Sequence, residues 1–201
     1  MSLESRSKQR WNLIDDPRTI RALAHPLRLE LRSIVGRSGK LTAADAAREL
    51  GISHGLASHH LRQLAKYGFV EQVEGADNRE RPWRLVTTSH SVEGLEDNPD
   101  GAAAVAVLEQ VTAERALEDL AHWHERRADW APGWRKHGGV ATSTVYLTQK
   151  ELTGLERDME KLLLEYVDQR PLDDIESRPA GSVPVEFTLI VVPREATAAG
   201  H

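Results

Sequence analysis

Apolar residues recur every three or four positions soon after the chain begins. Ile20, Leu23, Leu27, Leu31 and Ile34 or Val35 form one stripe between Asp16 and Gly39, the pattern of a helix with one buried side. Pro17 suits its start, and Gly36 or Gly39 its end. His25-Pro26 interrupts the stripe, because proline lacks an N–H and disfavours helix just before itself, so two pieces with a break near Ala24 are predicted. A further helix follows Thr42, whose hydroxyl can cap it, with Ala43, Ala46, Ala47 and Leu50 inward. Gly51-Ile52-Ser53 is read as a three-residue turn. Ser53 then caps a third helix, with Leu56, Ala57, Leu61 and Leu64 as its apolar face, up to Tyr67 and Gly68.

Past Gly68 the period drops to two. Phe69 to Val73 reads as a strand, residues 74–78 as a turn, and Arg79 to Val86 as the returning strand, with Trp83 and Leu85 on one face. A joint rich in turn formers, Asn98-Pro99-Asp100-Gly101, leads to a long helix from about Ala102 to Trp130, with Val105, Leu108, Val111, Leu117, Leu120 and Trp123 on one stripe. Val140 to Leu147 reads as a strand. Thr148 and Glu151 make a capping box for a helix over Gln149 to Gln169, whose inward stripe is Leu152, Leu155, Met159, Leu162, Leu163 and Tyr166. Val183 to Val192 is the most apolar predicted strand, and strand, helix, strand implies a parallel pair with a right-handed crossover.

These elements predict an α+β protein. Its parts are an N-terminal extension (1–15), a winged helix-turn-helix with a three-helix core and a β-hairpin wing (16–88), a linker (89–100), a long dimerisation helix (101–138), a strand-helix-strand unit (139–193) and a disordered tail (194–201). Helix, tight glycine turn, helix with small inward alanines has a steric logic: two helices crossing over a short turn need Ala47 and Ala57 where they approach most closely. The second of the pair enters the DNA major groove in proteins built this way. Its outward face here carries His54, Gly55, Ser58, His59, Arg62 and Lys66, which can donate to base edges or phosphates, or in the glycine's case let the backbone come near. Arg79, Arg81 and Arg84 lie on or near the wing tip, within reach of phosphates or a narrow minor groove.

Charge supports this division of labour. The net charge is -5, yet Met1 to Thr88 carries 15 Lys and Arg against 10 Asp and Glu, while the rest carries 11 against 21. A basic half joined to an acidic half suggests that the first meets a polyanion and the second meets something else, such as another copy. The chain of 201 residues has no cysteine, which excludes disulfides, thiolate metal sites and cysteine nucleophiles. With no apolar run of membrane-spanning length and no signal-peptide stretch, a cytoplasmic protein without membrane attachment is expected.

The runs ALAHPLRLELRSIV and AARELGISHGLASHHLRQLAKYGFVEQVEG, with the wing ending RPWRL, resemble the winged helix-turn-helix of the ArsR family of bacterial transcriptional regulators, over about Asp16 to Val86. The resemblance implies a dimeric, repressor-like regulator whose recognition-helix positions match His54, Gly55, Ser58, His59 and Arg62, with His60 in a packing role. Many members sense metals through a cysteine pair, which this chain cannot do.

The second half offers weaker chemistry. Trp123, Trp130 and Trp134, with Tyr146 beyond them, form either a small core or the floor of a pocket for an apolar or aromatic effector. His122 and Glu125 share one helix face but make a poor metal site, and surface pairing is the plainer reading. There is no phosphate-binding glycine loop, GxSxG or HExxH, so neither an enzyme nor a cofactor is expected. The expected function is sequence-specific binding of double-stranded DNA at an inverted repeat by a homodimer. The rival is a winged-helix protein-interaction module whose acidic half is the main interface.

Overall fold

The computed structural model describes residues 11–73, 81–87, 89–92, 94–95, 97–171 and 174–195. In chain order these form β1 (Trp11–Ile14), α1 (Pro17–Leu23), α2 (Pro26–Ser38), α3 (Ala43–Leu50), α4 (His54–Lys66), β2 (Val70–Gln72), β3 (Trp83–Leu85), β4 (Ser89–Val92), α5 (Pro99–Arg126), a 3-10 turn (Arg127–Asp129), α6 (Pro132–Arg135) and α7 (Gln149–Gln169).

Local chemistry accounts for most helix ends. Asp16 caps α1 by accepting from the Arg18 N–H, and the expected break falls at Ala24, where His25 caps α2 through Nδ1 accepting from the Leu27 N–H at 3.2 Å. Thr42 caps α3, and Gly51 ends it in the left-handed region at φ 63°. Ser53 caps α4 by accepting from the Leu56 N–H, and the Thr148–Glu151 capping box forms as predicted.

One core lies under α1 to α4 and the wing. Ile20, Leu31, Ile34, Val35, Ala46, Ala57, Leu61, Leu64 and Phe69 are wholly buried, and α3 and α4 pack on α2 and on each other. β2 and β3 pair antiparallel, with Val70 opposite Leu85 and Gln72 opposite Trp83. Leu41 adds a bridge to Trp83, its N–H and C=O each bonding across at 3.0 and 2.8 Å, so the wing sheet is stitched to the turn before α3. The architecture is a winged helix-turn-helix with a long helix behind it.

Three expectations need correction. Part of the linker assigned to 89–100 is structured: Ser89–Val92 forms β4, which pairs in parallel with β1 from the supposed extension, and Leu95 is buried in the core. Parallel pairing between segments nearly eighty residues apart leaves no local trace, which is why it escaped the pattern. The long helix runs from Pro99, capped by Asn98, to Arg126 and then breaks into the 3-10 turn, so 101–138 is not one helix. Its first turns dock on α1, with Gly101 and Ala104 buried, whereas Leu117 is exposed. Finally, Val140 to Leu147 and Val183 to Val192 flank α7 as expected, but neither enters a sheet among the described residues, and the predicted crossover pair does not form within the chain. Of the tail, residues 196–201 lie outside the described residues.

Gly101 marks the tightest point of this assembly. A Cβ there would sit 2.0 Å from the Leu95 carbonyl oxygen, and Asp100 beside it holds Arg21 of α1 in a bidentate pair. Backbone cannot step aside as a side chain can. Gly101→Ala is therefore expected to lower stability in urea by about 1 to 3 kcal/mol, as overpacking does, while Gly133→Ala, which meets nothing within 4 Å, changes it little.

Candidate nucleic-acid interface

α4 presents two unlike sides. Ala57, His60, Leu61 and Leu64 are buried against α2 and α3, and His54, Gly55, His59, Arg62 and Lys66 are exposed, with Ser58 at the margin. The structure thus gathers all six predicted α4 residues on or beside one open face. Arg62 has no ion pair among the described residues, and Lys66 lies 5.4 Å over the Tyr67 ring. A Cβ on Gly55 would meet nothing among the described residues within 4 Å, so their packing does not require the glycine.

Leu56 departs from expectation. Counted as inward, it is 41% exposed, because the buried positions of α4 are 57, 60, 61 and 64 and Leu56 falls one residue outside that arc. It adds an apolar group to the open face, of the kind that meets a thymine methyl.

The wing contributes less uniformly. Arg79 lies outside the described residues, and Arg81 is exposed. Arg84 instead reaches across the ladder to Glu71, with Nε–Oε1 at 2.8 Å and Nη2–Oε1 at 2.7 Å, so its guanidinium is engaged within the sheet. A cross-strand ion pair of this kind was legible only once the register set Glu71 opposite Arg84.

Behind the open face sits a histidine group that sequence reading did not assemble. The His60 ring lies 4.8 Å from that of His25 and 5.2 Å from that of His59, and its buried Nδ1 has no hydrogen-bond partner among the described residues. Burial lowers the pKa of His60, and positive charge at His25, Arg28 and His59 lowers it further. Burial and Arg28 likewise lower His25. Neutral His25 is what the α2 cap requires, because its Nδ1 must accept.

The aromatic residues of the second half do not converge on one site. The Trp123 and Trp130 rings lie 5.3 Å apart, tilted by 59°, Trp134 meets His137 at 6.0 Å, and Tyr146 stands apart, 90% exposed. The chain after α5 folds back on Trp123: Gly138 backs onto its ring, and Arg127 and Arg135 bond the carbonyls of Arg135 and Trp130. His122 and Glu125 form an exposed pair at 4.0 Å, and among the described residues no three side chains are placed to hold a metal ion. No helix among the described residues is long and apolar enough to cross a membrane.

Residues 23–73 match a family model described as a helix-turn-helix domain, which spans α2 to β2 and includes the whole open face of α4. No curated protein matches the chain significantly in sequence. Among solved structures, the chain is similar to a cysteine-to-serine mutant of MarR from E. coli complexed with operator DNA, at 16% identity over 80% of this chain and 89% of that one. It is similar also to wild-type MarR in its apo form from E. coli, at 16% identity over 81% and 98%. The heme sensor protein PefR in complex with heme and carbon monoxide matches at 18% over 76% and 79%. The TM-scores are 0.30, 0.30 and 0.29, too low for these superpositions to carry an argument.

The histidine group generates a prediction. Groups whose native pKa lies below the unfolded value of about 6.5 bind protons more readily in the unfolded chain. Their contribution to stability is fully present above pH 6.5 and is lost as pH falls from there through the lower native values. The urea midpoint should therefore drop between pH 7.5 and 5.5, and His60→Leu should flatten that dependence.

Proposed function

We propose that this protein is a DNA-binding transcription regulator of the ArsR type that lays α4 in the major groove and sets Arg81, with Arg79, against flanking phosphates. The single observation that carries this is the sidedness of α4 within a matched helix-turn-helix domain: a dry inner face and an outer face of His54, Ser58, His59, Arg62 and Lys66. The first half's excess of Lys and Arg supplies a phosphate-directed, salt-sensitive component of affinity. Two copies related by a two-fold axis read an inverted repeat with half-sites about 34 to 36 Å apart, and occupancy of such a site near a promoter acts as repression.

Selection of bound duplexes from a random pool, followed by anisotropy titrations at several salt concentrations, tests the proposal. Affinity should fall with rising salt, and Arg62→Ala should cost about 1 to 3 kcal/mol, uniformly if it meets phosphate and at one base position if it meets guanine. Salt-independent or absent DNA affinity overturns the reading and favours the protein-interaction module.

Gly55 separates folding from binding. With open space around it, Gly55→Ala should keep or raise stability, by up to about 1 kcal/mol from helix propensity. Gly55→Leu should fold equally well and bind DNA more weakly, because its side chain occupies the space the groove needs. Equal affinity for all three proteins would place the first turn of α4 away from DNA.

A further inference from the structure

The last third of the chain displays apolar side chains that the chain itself leaves bare. In α7, Leu152, Leu155, Met159, Leu162, Leu163 and Tyr166 recur at helical spacing, yet the helix has no buried residue, and Leu162 and Tyr166 are each 61% exposed. A helix with such a stripe draws its stability from whatever covers the stripe, since propensity alone leaves it marginal. The two flanking segments share the condition. Val145 and Phe187 are 62% and 71% exposed, and among the described residues neither segment's backbone bonds to another.

Their sequences are those of strands. In Val183 to Val192 the odd positions are Val, Val, Phe, Leu and Val, a continuous apolar face, and Val140 to Leu147 is rich in Val and Thr. One segment is anchored on the body of its own chain. Glu186 receives both Arg115 Nη atoms at 2.6 and 3.1 Å, while Arg115 Nε bonds Glu30 of α2 at 3.1 Å. Burial opposes the Arg115 charge, but Glu186 and Glu30 outweigh it and raise its pKa. The segment is thus held in place with its apolar residues still uncovered.

We infer that residues 140–192 form half of a sheet-and-helix layer that a second copy of this chain completes, each copy pairing its two strand-like segments with those of the other and covering both α7 stripes. This deepens the two-copy arrangement of the proposed function by naming its surface, and it stands whether or not the protein binds DNA. Four observations select a second copy as the cover. Two strands and one helix are too few for an independent layer, whereas two sets give four strands and two helices. The same surface supplies both what is offered and what is needed, as a closed two-fold interface requires. Fifteen large apolar side chains are exposed over these segments, which suits an interface of about 800 Å² per partner. α7 carries six Asp and Glu against three Lys and Arg, a net negative charge that disfavours anionic lipid and DNA as the cover.

Sedimentation of the full chain without DNA tests the inference. The wild type should be a dimer at tens of micromolar, and Leu162→Asp with Phe187→Asp should raise the dimer dissociation constant at least a hundredfold while the winged domain still unfolds cooperatively. A second measurement avoids disruptive changes: the chain has no cysteine, so Val145→Cys in one copy and Leu189→Cys in a differently tagged copy can be mixed and treated with a short bismaleimide. A cross-link between the tags supports the inference. A monomeric wild type, a dimer indifferent to both aspartates, or the absence of any cross-link between the two tags overturns it. Loss of DNA affinity in Arg62→Ala with the dimer intact would bear on the DNA reading alone.

Discussion

The seam between α2 and α4 is the contact on which the rest of the winged domain depends. Leu31, Ile34 and Val35 from α2 and Ala57, Leu61 and Leu64 from α4 are all wholly buried, and Phe69 closes the lower end as the chain turns into β2. Burying a side chain the size of leucine is worth about 1.5 to 3 kcal/mol, so the seam admits one rotation of α4 and no other. The outward display of His54, His59, Arg62 and Lys66 is a consequence of that rotation. Small residues enable it: Ala46, Ala47 and Ala57 are buried where α3 crosses α4, and the left-handed Gly51 permits the short turn between them.

A second constraint joins the winged domain to the acidic half of the chain. The first turns of α5 rest on α1, held by the close approach of Gly101 to Leu95 and by Arg21 on Asp100, and further along α5 Arg115 gathers Glu30 and Glu186 around one guanidinium. The Arg115 side chain is only 15% exposed, so its ion pairs are screened less than those at the surface. Arg37 extends the group, lying 3.5 Å from Glu30 and 3.2 Å from Glu49 of α3. Charges from α2, α3, α5 and the segment after α7 therefore meet in one place. A shift of α5 would be felt at the helix-turn-helix through these contacts, which gives a physical route between a change in the second half and the open face of α4.

The histidines show how a binding face and a stability element can share one helix. His59 faces out and His60 faces in, one position apart, and the inner ring lies against the residue that caps α2. A charge placed on the inner ring would be opposed by burial and by the positive charge at His25, Arg28 and His59.

Much of the winged domain was legible in the residues because its determinants are local. Caps at Thr42, Ser53 and Thr148, the stops at Gly39 and Gly51, and the break at His25-Pro26 each depend on a few neighbouring atoms, and the outward positions of α4 follow from a 3.6-residue period. What depends on distant parts of the chain was not legible. The parallel pairing of β1 with β4, the engagement of Arg84 by Glu71, the histidine group at His25 and His60, the exposure of Leu56 and the meeting of Glu186 with Arg115 all arise from segments brought together by packing. The strand-like segments around α7 mark the boundary between the two cases. Alternation and β-branching determine what such a segment can do, but a strand exists only when another backbone supplies its hydrogen bonds, and that is decided by tertiary contact.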